Sequence, residues 1–365
     1  MQQYALRPKQ TVCPVCSCHD GLVLYSVDSD QAAQHYVLRE VEPDRHRTLR
    51  DHIESLWRQS TCDVVRCAEC EFCFADPFIA GDARFYELAY QRTGYPQWKW
   101  EYGRTREALF SLKQRGCLDH FRLLEIGAGN GAFIKQVAPA LTTKENVFCT
   151  EFSDFGRNAM TQYGVRCIPQ DVRELSLHDW AGNFDVICMF QVLEHLDRLD
   201  ELFSHLSSLA STKAHLFIGV PNAKRIEFNE LYGSLLDLPP NHVGRWNLKS
   251  FEKIAHRHGW SVADYDIQHE GFKSKARQFA LYRYIRRRQA GNSLANRIER
   301  IHSKSLRRPL QAFAVAWYAV TALPTLGSLV NGSDLGETQW AHMIKGKGQQ
   351  HIGRDEAQCG VTNVT

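Results

Sequence analysis

Between residues 120 and 270, apolar runs with the character of strands alternate with segments of helical spacing. The strand-like runs occupy residues 121–126, 146–151, 167–171, 184–190 and 216–222. Short continuous apolar runs predict buried strands, and their alternation with helices predicts a parallel sheet. The pattern therefore predicts a doubly wound α/β domain, in which ligands bind at the carboxyl ends of the strands.

A glycine-rich turn follows the first of these strands. Gly127, Gly129 and Gly131 stand at alternate positions before a helical pattern that begins at Ala132. Glycine tolerates left-handed backbone and lets a ligand approach the bare chain. The spacing also fits the looser dinucleotide-binding fingerprint, so the glycines alone do not decide between two cofactor classes. Glu151 ends the next apolar run, where a carboxylate can bind two ribose hydroxyls.

Taken with Glu125 before the turn and Val192-Leu193-Glu194-His195-Leu196 after the fourth strand, this set resembles the class I S-adenosylmethionine-dependent methyltransferases over about residues 120–270. The resemblance implies a Rossmann-like sheet and S-adenosyl-L-methionine as cofactor. It implies that the glycines lie beside the methionine portion and that Glu151 binds the ribose. By the same resemblance, Phe152 lies on the adenine and Asp171 accepts from its amino group. The cofactor residues implied are Glu125, Gly127, Gly129, Gly131, Glu151, Phe152, Asp171 and Gln191.

Seven of the twelve cysteines lie at or before Cys73. Two C-x-x-C pairs, Cys13 with Cys16 and Cys67 with Cys70, can complete a tetrahedral zinc site that has no open position. We therefore expect a structural Zn²⁺ ion in a module of residues 1–80. The nearby substitutes Cys18, His19, Cys62 and Cys73 leave the exact ligand set open, and unrelated reduced thiols are the alternative.

This stretch resembles the cysteine-bearing module that precedes some bacterial sugar and natural-product methyltransferases, although Glu71 stands where that family usually has glycine. In such enzymes the module flanks the acceptor pocket. Pro240-Asn241-His242 resembles the P-x-H segment of the same family, which makes His242 the preferred general base and His195 the next candidate. An unperturbed imidazole titrates near pH ~6.5 and is largely neutral in a cytosol.

Glu194 and His195 have two interpretations: a structural pair that caps the strand end, or groups that act as base or metal ligands. Some relatives that methylate phenols carry an acidic residue at the position of Gln191 and bind a divalent ion there. The neutral Gln191 argues against a catalytic metal in this chain.

The remaining segments carry weaker signals. Residues 81–119 form a helical linker rich in aromatics, with Tyr90, Tyr95 or Tyr102 as alternative lid residues over the site. Residues 271–334 form a basic helical insertion before a final strand at 335–346 and a flexible tail at 347–365. We favour a helix buried on the sheet domain. A peripheral membrane contact through residues 285–330 is the less favoured alternative.

Composition changes this picture little. The chain has 365 residues, 44% of them hydrophobic, and a net charge of +3 that is too small to indicate nucleic acid. The first residues lack the apolar core of a signal peptide, and the many cysteines then favour reduced thiols in the cytoplasm.

The sequence predicts a methyltransferase that acts on a small molecule, at a hydroxyl or carbon of a sugar, nucleotide-sugar or natural-product intermediate. A nucleic-acid substrate is disfavoured because Gln191-Val192-Leu193-Glu194 replaces the Asn/Asp-Pro-Pro-aromatic segment of base methylators. A non-catalytic cofactor-binding scaffold and a nicotinamide-dependent oxidoreductase remain as alternatives.

Overall fold

The computed structural model describes residues 6–90, 97–231, 237–321 and 334–346. In these ranges the helices are α1 Ser29–Tyr36, α2 Pro43–Trp57, α3 Ala83–Ala89, α4 Trp100–Gln114, α5 Ala132–Val137, α6 Asp154–Tyr163, α7 Leu177–Trp180, α8 Leu199–Leu209, α9 Ala223–Leu231, α10 Leu248–Arg257, α11 Phe272–Arg288, α12 Leu294–Glu299 and α13 Lys304–Val320. The strands form two sheets. Tyr95 and the predicted tail at 347–365 lie outside the described residues.

The larger sheet contains the predicted α/β core. Its strands are β5 Leu123–Ile126, β6 Val147–Thr150, β7 Arg166–Ile168, β8 Phe184–Phe190, β9 Ala210–Pro221, β11 Trp260–Ile267 and β12 Thr338–Lys345. They lie in the order β11-β12-β9-β8-β5-β6-β7. All neighbours from β7 to β9 are parallel, whereas β12 is antiparallel to both β9 and β11. The predicted Rossmann-like class I α/β fold is confirmed.

This sheet is buried because helices cover both faces. Every residue of β5 and β6 is buried, which explains why their sequences are mostly apolar. One side packs around Phe184, Phe203 and Trp260, and the other around Phe133 and Trp340. The strand order reverses between β5 and β8, and the crevice at such a switch point is where α/β folds bind ligands.

The N-terminal residues form a separate antiparallel sheet with four strands of their own. These are β1 Arg7–Gln10, β2 Asp20–Asp28, β3 Thr61–Cys67 and β4 Cys73–Asp76. The fifth strand, β10 Gly244–Arg245, comes from the loop after β9 and pairs with β4. Helices α1 and α2 fill the insertion between the cysteine pairs, and Leu49, Ile53 and Trp57 bury one face of α2. The module and the loop that carries His242 are thus parts of one sheet.

Helices α11 to α13 form the insertion between β11 and β12. The expectation of a helix buried on the sheet domain is wrong for the described part, because α13 packs on α11 and α12 and buries only Ala314. Within the described residues, none of the helices combines the length and the apolar character that crossing a bilayer requires.

Candidate active site and cysteine cluster

The glycine turn after β5 adopts backbone angles that favour glycine. Gly127 and Gly131 have φ of 68° and 74°, in the left-handed region. A Cβ on Gly127 would come within 2.6 Å of Val192, and one on Gly131 would collide with the sulfur of Met160. The turn therefore depends on glycine for both its conformation and its packing. It leaves bare backbone at the carboxyl edge of the sheet.

Glu151 follows β6 and braces this turn. Its two carboxylate oxygens accept hydrogen bonds of 2.8 Å, one from the Gly129 amide and one from the Ser153 amide. The side chain is nearly buried, at 8% exposure. Because a carboxylate oxygen can accept two hydrogen bonds, each one keeps an acceptor position for a ribose hydroxyl.

Two further carboxylates lie buried beside the turn. Burial raises the pKa of Glu125 to about 8, and its Oε2 has no hydrogen-bond partner among the described residues. Glu101, in the first turn of α4, is also buried, and burial raises its pKa. Gln191 donates from Nε2 to Glu101 across 3.2 Å and has a left-handed φ of 59° at the end of β8. The sequence indicated Glu125 and Gln191 but gave no signal for Glu101.

The two residues assigned to adenine differ in whether their side chains are available to bind a ligand. Phe152 is 66% exposed, and its ring is open to contact. Asp171 instead binds Arg173 through both oxygens, at 2.5 Å and 2.8 Å. Burial opposes ionisation, but these hydrogen bonds hold the pKa of Asp171 below its usual value. Asp171 is therefore occupied within the protein, and Oδ1, which also accepts from the Arg173 amide, has no acceptor position left.

These residues fit S-adenosylmethionine. The cofactor carries a cationic sulfonium and ammonium, and the site offers the unpartnered oxygen of Glu125 and the buried carboxylates of Glu101 and Glu151. It also carries a ribose, for which Glu151 keeps two acceptor positions. The open backbone of the glycine turn completes the set, so the cofactor's charge and shape match what the protein presents.

His242 lies in the loop before β10 and is paired with Asp237. Its Nδ1 is 2.7 Å from Asp237 Oδ1, and both side chains are mostly buried. Burial alone would lower the pKa of His242, but the hydrogen bond and charge of Asp237 raise it above the ordinary imidazole value. The expectation of an unperturbed imidazole is therefore wrong, and the cause is a partner five residues away in a loop.

His195 lies against His242, with the ring centroids 4.7 Å apart. Its Nδ1 is 2.7 Å from the Asn241 carbonyl and 3.2 Å from the Tyr86 hydroxyl. Burial, reinforced by His242, lowers the pKa of His195 to about 3. His195 is thus neutral, with Nδ1–H donated to the carbonyl and Nε2 turned toward Glu194 at 3.7 Å.

Glu194 completes this group. It is 2% exposed, burial raises its pKa to about 7, and no residue in the described ranges forms a hydrogen bond with its Oε2. Potential ligand atoms of Glu194, His195 and His242 lie within 4.8 Å of one another. Gln191 is turned toward Glu101 and is not part of this set. The group combines an imidazole of raised pKa, a neutral imidazole and a buried carboxyl, which suits proton transfer.

Two supporting residues escaped the sequence analysis. Asp237 gave no signal because nothing in a loop sequence marks which acid will face a histidine. Arg245, in β10, is buried and forms a 2.7 Å ion pair with Glu230, and it donates to the Tyr25 hydroxyl.

Of the predicted lid tyrosines, Tyr90 is exposed, but Tyr102 is buried between Phe133 and Phe190 and cannot act as a lid.

The four predicted cysteines meet at one point of the N-terminal module. The sulfurs of Cys13, Cys16, Cys67 and Cys70 all lie within 4.8 Å of one another. Cys13 is 3.6 Å from Cys70, and Cys16 is 3.5 Å from Cys67. Four sulfurs at about 2.3 Å from a central zinc ion would be about 3.8 Å apart, so this spacing fits a tetrahedral ion.

The two knuckles share one backbone geometry. Ser17 and Glu71, each directly after the second cysteine of its pair, have left-handed φ values of 63° and 59°. This explains the glycine usual at that position, since glycine adopts such angles without strain. Of the substitute ligands, Cys62 is buried elsewhere, beside the Pro77 carbonyl.

The match to known proteins concerns the central part of the chain. Residues 90–265 match the model of a methyltransferase-domain family. No curated protein matches the chain at a significant level.

Many solved structures match the chain at low identity. A putative sarcosine dimethylglycine methyltransferase from Galdieria sulphuraria is 14% identical, with 67% of this chain and 86% of that chain covered and a TM-score of 0.40. A SAM-dependent methyltransferase from Archaeoglobus fulgidus is 16% identical, with 67% and 94% covered and the same TM-score of 0.40. The magnesium protoporphyrin IX methyltransferase of Synechocystis PCC 6803, with bound SAH, is 14% identical, with 69% and 90% covered and a TM-score of 0.40.

The family match covers the glycine turn, Glu151, β8 and the Glu194 that follows β8, and the sheet that carries them has the Rossmann-like α/β fold. Residues 90–265, just under half of the chain, thus match a methyltransferase domain, and this match together with the site beside the glycine turn supports an S-adenosylmethionine-dependent methyltransferase.

Proposed function

We propose that this enzyme methylates a hydroxyl or an acidic carbon of a small molecule such as a sugar, nucleotide-sugar or natural-product intermediate. The observation that carries the proposal is the proton-transfer group at the carboxyl edge of the sheet, in which His242 is paired with Asp237 at 2.7 Å and faces His195. An acceptor of this kind must lose a proton when it is methylated, and a positioned base contributes a factor of roughly a hundred or more.

The cofactor, when bound, supplies a methyl group that is already activated on a sulfonium. The protein's own task is then to orient the acceptor and remove its proton. We assign the base to His242, because its raised pKa makes it a stronger base than His195, whose pKa is about 3. The Asp237 carboxylate, with Oδ1 2.7 Å from Nδ1, favours a proton on Nδ1, which leaves Nε2 to take the acceptor's proton.

His195, Glu194 and Tyr86 orient the acceptor in this proposal. Glu194 has an unpartnered oxygen in a buried position, and a substrate hydroxyl would satisfy it. Leaving a buried polar atom without a partner costs about 1–3 kcal/mol, which favours binding of a polar acceptor. An acceptor rich in hydroxyl groups, such as a sugar, fits this wall.

We also propose that Cys13, Cys16, Cys67 and Cys70 bind one structural zinc ion. Four buried or half-buried thiols within 4.8 Å of one another support this assignment. The ion would cross-link β1, β3 and the turns beside them. It would have no catalytic role, because four thiolates leave no position for a substrate.

The acceptor assignment can be tested with purified enzyme, S-adenosylmethionine and a panel of nucleotide-sugars, with methyl transfer followed by mass spectrometry. His242→Ala should lower turnover at least a hundredfold and leave the affinity for S-adenosylhomocysteine unchanged. His178→Ala is the matched control, since that side chain is 95% exposed. Full activity of the His242 variant would remove the base assignment, and transfer to amines alone would overturn the acceptor class.

A further inference from the structure

Helix α13 presents a continuous apolar stripe to solvent. Leu306, Leu310, Phe313, Trp317 and Val320 are 63%, 42%, 65%, 54% and 58% exposed. With 3.6 residues per turn, these five positions fall within an arc of about 80°. The opposite face carries Ala314, Val315 and Tyr318, which pack against Tyr284 and Ile298. The stripe is therefore the outer face of a helix that is already docked.

This stripe is unusual for a soluble surface. Single exposed apolar residues are ordinary, but a contiguous row of large ones, with Phe and Trp at its centre, marks a surface that contacts another apolar phase or partner. The charged residues of this helix, Lys304, Arg307 and Arg308, all lie in its first two turns, and a basic helix with an exposed apolar face is typical of elements that lie in a membrane interface.

The charge of this region is extreme. Residues 272–321 contain twelve Lys and Arg but a single acidic residue, Glu299, for a net charge of +11. The whole chain has 44 basic and 41 acidic residues, so the rest carries 32 basic and 40 acidic ones and a net charge of −8. Eight of the basic side chains are exposed: Lys273, Arg277, Arg286, Arg287, Arg297, Arg300, Lys304 and Arg308.

Part of this charge is gathered beside the stripe. A groove of about 480 Å³ lies between α11 and α13 and is lined by Arg288, Lys304, Arg307 and Arg308. Leu281 lines the same groove and is 44% exposed. None of the eight exposed cations listed above forms an ion pair with an acid in the part of the chain that the structure describes.

We propose that α11 to α13 bind the surface of an anionic lipid membrane, with the stripe of α13 inserted among the acyl chains at the interface and the cations against the headgroups. The apolar stripe matches the acyl chains of such a membrane, and the cations match its anionic headgroups. Apolar side chains gain free energy when they leave water, and Lys and Arg side chains are attracted to an anionic leaflet.

A second copy of this chain and a nucleic acid both fit this surface less well than a membrane does. A second copy of this chain would bring the same surface to itself across a two-fold axis, so that +11 would face +11. Nucleic acid would match the charge, but a row of Leu, Phe and Val side chains has no counterpart in a phosphate backbone. The anionic membrane is the occupant that uses both the stripe and the cations.

The test is co-sedimentation of the full chain with vesicles of phosphatidylcholine alone and with added phosphatidylglycerol. We expect binding to the anionic vesicles, weaker binding at high salt, and little binding to the neutral ones. Phe313→Ser with Trp317→Ser should weaken binding at least tenfold, and Lys304→Gln with Arg308→Gln should weaken it on anionic vesicles and reduce the salt dependence. Phe110→Ser, at a 37% exposed position on α4, is the matched control and should bind as wild type.

Unchanged thermal unfolding and S-adenosylhomocysteine affinity show that each variant is folded, since none of these positions lies in the cofactor or acceptor wall. Failure of the wild-type chain to bind anionic vesicles at low salt overturns the proposal. The proposal is also overturned if the wild-type chain is a dimer that does not bind vesicles and the double variant Phe313→Ser with Trp317→Ser is a monomer. Binding to duplex DNA that these apolar substitutions leave unchanged, with no binding to vesicles, would assign the charge to nucleic acid instead.

Discussion

Glu151→Ala tests the cofactor site most directly. The carboxylate accepts from the Gly129 and Ser153 amides at 2.8 Å each, and it is 8% exposed. In the assignment made above, each oxygen also accepts from one ribose hydroxyl. Removal of the side chain therefore deletes two contacts with the ligand and two with the turn that receives it.

The magnitude follows from these contacts. Hydrogen bonds to a charged group contribute about 1.5–3 kcal/mol each, so two ribose contacts contribute about 3 kcal/mol at the lower end. A difference of about 1.4 kcal/mol is tenfold in affinity. Water in the space left by the side chain offsets part of this loss, and we expect affinity for S-adenosylhomocysteine to fall between tenfold and a hundredfold by calorimetric titration.

A cofactor analogue that lacks one ribose hydroxyl separates the two kinds of contact. Wild type should bind this analogue more weakly than S-adenosylhomocysteine, whereas Glu151→Ala should bind the two nearly alike. Asp154→Ala is the matched control, because that side chain is 90% exposed and pairs only with Arg157 among the described residues. Unchanged affinity in Glu151→Ala would refute the ribose assignment. An equal loss for both ligands would mean that Glu151 acts only through the turn.

Three other changes have defined outcomes. Asp237→Asn removes the carboxylate that raises the pKa of His242. The base must be unprotonated, so activity is lost as pH falls through that pKa, and the acid limb of the pH–rate profile should move to lower pH in the variant. An acid limb that stays in place would exclude His242 as its origin. The purified chain should contain about one zinc ion, and Cys70→Ser should lower both the zinc content and the unfolding temperature, with the half-buried Cys167→Ser as a control that keeps the metal. Trp340→Ala should lower the free energy of unfolding, measured with denaturant, by about 3–5 kcal/mol, because the ring is fully buried and its indole N–H donates to Thr105 at 2.8 Å. A loss under about 1 kcal/mol would show that neighbouring side chains fill the space left by the ring.

The sheet could be predicted because its signals are local. The β5 run into Gly127 and the run from Phe184 to Phe190 are each apolar except for one acidic residue, and burial on both faces of a parallel sheet favours that pattern. The left-handed turn at Gly127 could also be predicted, because few residues other than glycine adopt it. The four cysteines met as predicted because each pair is held in one tight knuckle.

The parts that could not be predicted depend on contacts between distant segments. The partner of His242 depends on how residues 237–242 turn, and Glu101 reaches Gln191 from a helix 90 positions away. Amphipathic spacing in α13 is the same whether its apolar face is buried or exposed. The sequence could not tell that Ala314 and its neighbours face the protein and that Phe313 and Trp317 do not.

The cysteine module and the acceptor loop are joined by strand pairing and hydrogen bonds. β10 leaves the acceptor loop, pairs with β4 directly after the second knuckle, and aligns Arg245 with Cys73. Further along the chain, α10 is tied to both knuckles: Asn247 donates to the Cys70 carbonyl at 3.3 Å, and Arg257 donates to the Val15 carbonyl. The backbone of Val243 donates to the Glu194 carbonyl at 2.9 Å, which links the same loop to β8. A metal that fixes the knuckles would therefore fix the height of His242 above the edge of the sheet. Loss of the metal should consequently lower turnover before it lowers cofactor affinity, because Gly127 and Glu151 lie on strands that the module does not hold.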